Sequence, residues 1–115
     1  MPASSPNTDH LETAIAAIPA CTLDDAARRE QRTRYARLAA TITHLDRTPE
    51  AIVIDFAEHL DRRTLERTLA VERECCPFFV FAFDEASRRL RMTVSAAEQI
   101  PALDAMAAAL AAAQR

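Results

Sequence analysis

The chain has 115 residues, 50% hydrophobic and 27% charged, with a formal net charge of −3; this is one domain's worth of sequence, with no electrostatic case for a nucleic-acid partner. No apolar run approaches the roughly 20 residues that span a bilayer, and no signal peptide is visible at the start, so a cytoplasmic protein without membrane contact is expected. There is no Gly, no Lys and no Trp, which removes phosphate loops, dinucleotide fingerprints and nucleophile elbows, all of which need Gly backbone, and also Schiff-base chemistry on Lys.

Residues 1–7 (MPASSPN) are small, polar and Pro-rich and read as a disordered arm ahead of a single domain over 8–115. Thr8 can cap a short helix over 9–18, where Leu11, Ile15 and Ile18 recur at helical spacing before Pro19 closes it. Cys21 falls in the link that follows. Thr22, with Asp24 and Asp25 behind it, starts a second helix with acidic residues in the first turn, where the dipole favours them. That helix runs to about His44, with Leu23, Ala27, Tyr35, Leu38, Ile42 and Leu45 as its apolar positions. Residues 46–50 (DRTPE) turn the chain, and the β-branched run 51–57 (AIVIDFA) is the first predicted strand. Asp61 caps a third helix over 62–76, which Pro77 ends. Residues 78–83 (FFVFAF) form the second strand, 84–87 (DEAS) a hairpin turn without Gly, and the alternating 89–94 (RLRMTV) the third. Ser95 and Glu98 read as a capping box for a last helix with Pro101 in its first turn and its end near Ala113.

The expected fold class is α+β, a three-stranded sheet connected β-α-β-β, with two N-terminal helices and a C-terminal helix packed on it. The β-α-β unit can be split, with the third strand between the first two. The second strand presents Phe79, Phe81 and Phe83 on one face and Phe78, Val80 and Ala82 on the other. Both faces are apolar, so both are expected to be covered, one by helices and the other by the N-terminal helices or a second subunit. The last helix, rich in Ala with Leu103, Met106 and Leu110, can also pack against a copy of itself. Either arrangement allows a homodimer.

The chemistry available lies in three Cys, three His, one Tyr and the carboxylates. On a wheel of about 100° per residue, Leu65, Leu69, Glu72 and Cys76 share one stripe of the third helix, with Thr68 at its edge. Glu66, Arg67, Ala70, Arg73 and Glu74 fall on the opposite side, and Cys75 lies about 100° from Cys76, flanking the same region. An ionised carboxylate on a buried stripe is expensive, so Glu72 must be paired, protonated or bound to something. The bland reading pairs it with Arg34. Buried Cys residues likewise often serve as small hydrophobes. A helix C-terminus carries partial negative charge and does not activate a thiol, which favours a metal-assembled site over a simple thiolate nucleophile. If Cys21 joins Cys75 and Cys76, three thiolates converge, a ligand set that suits Hg(II), As(III), Cu(I) or Zn(II). Zn(II) wants a fourth ligand, from Glu72, His44 or His59. His10, His44 and His59 themselves read as surface residues.

The stretch Glu72-Arg73-Glu74-Cys75-Cys76-Pro77-Phe78-Phe79, with Cys21-Thr22-Leu23 about fifty residues earlier, resembles a group of small, largely uncharacterised bacterial proteins. These carry an ECCPF-like motif between a helix and a strand and an upstream Cys-x-Leu before an Arg-rich helix. The resemblance covers most of 21–95 and implies that Cys21, Cys75, Cys76 and Glu72 belong together, in proteins associated with metal handling. This chain departs from the pattern after the motif, where related chains have Gly-rich turns and it has none.

Four functions compete. The first is a soft metal or metalloid binding protein for buffering, delivery or resistance, with Cys21, Cys75 and Cys76 as ligands and Glu72 as a base or fourth ligand. The second is a thiol redox or detoxification enzyme, in which one of Cys75 and Cys76 attacks, the other resolves and Glu72 moves the proton. The third is haem ligation through Cys76-Pro77. The fourth is an interaction domain whose dimer surface is the point.

Overall fold

A computed structural model describes residues 24–114. The arm over 1–7, the helix over 9–18, His10 and Cys21 lie outside the described residues. The elements are α1 (Asp25–Ala39), β1 (Ile42–Arg47), β2 (Ala51–Phe56), α2 (Arg62–Cys75), β3 (Phe79–Asp84), β4 (Arg89–Val94), a 3-10 turn (Ala97–Gln99) and α3 (Ile100–Ala113). The class is α+β, as expected. Helix starts follow the side chains that satisfy their first amides. Asp24 accepts from Ala27 N at 2.8 Å to open α1, and Asp61 accepts from Arg63 N at 3.0 Å to open α2. Pro101 occupies the first turn of α3, but the expected capping box does not form there. No side chain caps the 3-10 turn that replaces it, and the Ser95 hydroxyl instead bonds to Gln99 Oε1 at 3.2 Å.

The strands form one antiparallel sheet in the order β1-β2-β4-β3. The last predicted strand does lie between the two before it, splitting the β2-α2-β3 unit. The sheet has four strands rather than three, because residues read as the end of the second helix form β1. Ile42 and Leu45 are three apart, the spacing of a helix face. A β-bulge between Ile42 and His44 shifts the register. Ile42 therefore sits opposite Phe56 and Leu45 opposite Ile54, both toward the covered face. An extra residue in a strand thus imitated a helical period.

One face of the sheet carries α1, α2 and α3 and the core: Ile52, Ile54, Phe56, Phe79, Leu90 and Met92 are buried there, with Leu65, Leu69, Leu103, Met106 and Leu110 from the helices. Buried positions of α3 include Ala107, Ala109 and Ala112, so these small side chains allow close approach to its own sheet. The described helices cover one face of β3 and leave the other uncovered. Val80 is 50% exposed and Ala82 is exposed, on a face shared with His44, Asp55, Arg89, Asp84 and Arg91. Across that face Arg89 Nε meets Asp55 Oδ1 at 2.7 Å, and this hydrogen bond holds the Asp55 carboxyl below its ordinary range. The charged neighbours make this a polar face within the chain, which the apolar run in β3 alone does not reveal. Among the described residues, no helix is long and apolar enough to cross a membrane.

The β3–β4 hairpin shows how a Gly-free chain turns. Asp84 Oδ1 accepts from Ala86 N at 3.1 Å and its Oδ2 from Ser87 Oγ at 3.0 Å. Arg88 takes the left-handed conformation that Gly would otherwise supply, with φ of 54°. Its Nε donates to Phe56 O at 3.1 Å, and Phe56 N donates to Arg88 O at 3.0 Å, tying the turn to β2. The side-chain bond offsets the conformational cost, each worth about 1 kcal/mol. Arg88→Ala keeps the cost and loses the bond, so a loss of about 1 kcal/mol is expected. Arg88→Gly loses the bond but relieves the strain and should cost less. Urea midpoints check this, and a Gly variant less stable than the Ala variant contradicts it.

Candidate functional site

The site lies between α1 and the C-terminal half of α2. α2 buries Thr64, Leu65, Thr68, Leu69, Val71, Glu72 and Cys75 and exposes Glu66, Arg67, Ala70, Arg73 and Glu74, as the wheel requires. Glu72 is therefore on the buried stripe, 3% exposed. α2 ends at Cys75, one residue short of the expected boundary, and Cys76 caps it, with its N–H on Glu72 O at 2.6 Å. This places Cys76 back over the last turn, where the side chain is fully buried.

Two α1 side chains meet the Glu72 carboxylate. Tyr35 Oη donates to Glu72 Oε2 at 2.6 Å. Gln31 Nε2 donates to the same oxygen at 2.8 Å and to Thr68 O at 3.1 Å. The Cys76 thiol hydrogen-bonds with Glu72 as well. Gln31 and Tyr35 are 0% and 3% exposed, so the whole cluster is removed from water. Arg34 does not pair with Glu72, which corrects the bland reading. It stands one step back, its Nε donating to Gln31 Oε1 at 2.9 Å, and the amide relays that polarity to the carboxylate. Among the described residues no basic side chain forms an ion pair with Glu72.

The electrostatic result follows. Burial, then the Glu72 charge, then its hydrogen bond push the Cys76 thiol far above its ordinary range. Tyr35 is raised by burial first and then by the same carboxylate, with a smaller push from Cys76. Both groups hold their protons, and neither is an activated nucleophile at neutral pH.

Cys75 is buried at 3% exposure and is disulfide-bonded, whereas Cys76 is a free thiol. The two neighbours are thus not joined to each other, and Cys75 offers a thiolate only once its disulfide is reduced. Cys21 lies outside the described residues. Among the described residues, no group of three or more His, Cys, Asp or Glu is placed to hold a metal ion. His44 is exposed on the open face of the sheet, away from the helices. His59 is exposed ahead of α2, the length of that helix (roughly 20 Å) from Cys76. Neither supplies a fourth ligand here, in keeping with their reading as surface residues.

Gln31 and Tyr35 are the site residues that the sequence reading missed. Tyr35 reads as an apolar position, and Gln31 falls outside that apolar set. The signal was present: Ala27, Gln31, Tyr35 and Leu38 recur at helical spacing, and a Gln on that stripe, like a Glu on the facing one, needs a buried partner. No protein family, curated protein or solved structure matches the chain.

Proposed function

We propose that this protein binds a soft metal or metalloid ion as cargo, through Cys76 and, once its disulfide is reduced, Cys75, with Cys21 as the third thiolate. Hg(II), As(III), Cu(I) and Zn(II) are the candidate ions, for buffering, delivery or resistance. One observation carries this reading: a buried carboxylate holds the protons of a thiol and a phenol, with no paired cation beside it among the described residues. The Cys76 thiol and the Tyr35 hydroxyl share one dry volume with the Glu72 carboxylate, and a bound cation relieves the repulsion that keeps the thiol and the phenol protonated. Glu72 is placed to take the Cys76 proton as the sulfur is metallated, so capture releases protons to solvent at neutral pH.

The test titrates reduced protein with Hg(II), As(III), Cu(I) and Zn(II) separately and counts reactive thiols and released protons. Stoichiometric protection of the thiols by one ion is expected, with proton release that Glu72→Gln alters. Thiols that stay freely reactive with all four ions overturn the reading.

A second reading, thiol redox chemistry, is favoured by the Cys75 disulfide beside the Cys76 thiol. Cys76 sulfur, its proton passing to Glu72, would attack the Cys75 sulfur and displace the bonded thiol. The disulfide would then join Cys75 and Cys76, with no external oxidant consumed. Mass mapping of the disulfide in the oxidised protein separates the two readings, because a Cys75–Cys76 bond that accumulates over time supports only this one.

A further inference from the structure

The sheet has two edge strands, and they are guarded differently. β1 carries a bulge and the charged or polar His44, Asp46 and Arg47, the devices that keep an edge from pairing. β3 (FVFAFD) runs in unbroken register with β4 and has a single charge, at its end. Its hydrogen-bond phase is known. Ser95 N donates to Phe78 O, so the backbone groups of Val80, Ala82 and Asp84 face Thr93, Arg91 and Arg89 on β4. Those of Phe81 and Phe83 therefore point outward, and no described residue bonds them. The Phe79 N–H is already taken by Cys76 O at 3.1 Å.

We propose that the outer edge of β3 pairs antiparallel with the same edge of a second copy of this chain, with Ala82 on the two-fold axis. In this register Phe81 and Phe83 exchange both of their backbone bonds with the partner's Phe83 and the partner's Phe81. The outward groups of Phe81 and Phe83 are then satisfied without calling on the Phe79 N–H. Side chains opposite each other share a face, so the phenylalanines meet on the helix-covered side, where aromatic cross-strand pairs stabilise a sheet. Ala82 lies at a close, non-hydrogen-bonded crossing of about 4.5 Å between Cα atoms, which suits the smallest side chain of the strand. Like charges do not meet at the seam on the open face: Val80 lies opposite the partner's Asp84, and Asp84 already faces Arg89 on its own side. The result is one continuous sheet through two subunits.

The register predicts a specific cross-link. Under mild oxidant Ala82→Cys should give a disulfide-linked dimer, since paired Cα atoms at that distance accept a disulfide. Val80→Cys should not, because its two copies lie roughly 13 Å apart along the strand. Light scattering of the full-length native chain should give about twice 12.7 kDa, and Ala82→Lys, which brings like charges together on the axis, should weaken the dimer at least tenfold while leaving the circular dichroism unchanged. A native chain that stays at monomer mass up to millimolar concentration overturns the proposal. So does equal cross-linking of the two Cys variants. A monomer whose Phe81 and Phe83 amides exchange slowly also overturns it, showing that residues 1–23 cover the edge instead.

Discussion

Glu72→Ala is expected to cost about 3–4 kcal/mol, a large share of the roughly 5–15 kcal/mol that holds a domain of this size together. The substitution strands the Tyr35 hydroxyl and one hydrogen of the Gln31 amide, whose partner at 2.6 and 2.8 Å is the same carboxylate oxygen. A buried donor left without an acceptor costs about 1–3 kcal/mol, and the cavity adds to that. The melting temperature should fall by roughly 12–16 °C. Glu72→Gln is the informative contrast. It keeps the shape and an oxygen that accepts from both donors, and it removes a buried charge that no described basic side chain pairs with. Its stability should stay within about 1 kcal/mol of the parent, because losing charge-assisted bonds and losing a desolvation penalty oppose each other. Under the metal-binding reading it nonetheless loses the acceptor for the Cys76 proton, so Hg(II) capture at neutral pH should slow. A Gln variant that unfolds like the Ala variant means that the carboxylate is chiefly structural. A Gln variant that folds and captures the ion at the parent rate removes Glu72 from the chemistry.

Alkaline unfolding is the second large effect. Cys76 and Tyr35 both have folded-state pKa values raised above their ordinary ranges. Each group is neutral when protonated, so the folded protein keeps protons that the unfolded chain releases. The stability linked to each is fully present below the unfolded pKa and is lost as pH rises above it. For Cys76 the loss begins near pH 8.5–9, at about 1.4 kcal/mol per pH unit. Above about pH 10 Tyr35 joins, and the slope doubles to roughly 2.7 kcal/mol per unit. Urea unfolding of the disulfide-intact protein from pH 7 to 11 reads both slopes. Cys76→Ala should flatten the first part of the curve and Tyr35→Phe the second. Tyr35 is the sole Tyr, so phenolate absorbance in the native protein should appear only together with unfolding. Stability that is flat across this range, or a phenolate that forms in the folded state near pH 10, contradicts the buried network.

The site was half legible in the residues. Glu72 stood out because a helix wheel places it among Leu65, Leu69 and Cys76, and a carboxylate on such a stripe demands a partner. The wheel could not name the partner, since it describes one helix at a time. Arg34 was the obvious choice by charge. The packing angle of α1 on α2 instead brought Gln31 and Tyr35 to the carboxylate and left Arg34 bonded to Gln31. In the same way the thiols were evident as a pair, while the difference between them, Cys75 in a disulfide and Cys76 free, depends on what each side chain meets in space.

By itself the sequence determined what local chemistry controls: the α+β class, the Asp61 cap and the Pro77 limit of α2, the face of α2 that is buried, and a site built from side chains because the chain has no Gly. Alternation and capping are set by neighbours along the chain, so they survive without knowledge of the fold. Tertiary structure alone decided three other things. β1 became a strand because pairing with β2 accommodated a bulge that reads as a helical period. Val80 and Ala82 of β3 came to share a sheet face with Arg89, Arg91 and Thr93, a face that the described helices do not cover. And Glu72 took a tyrosine, an amide and a thiol as its partners because two helices crossed there. Each is a matter of which residues meet across the fold, a relation that spacing along one segment does not contain.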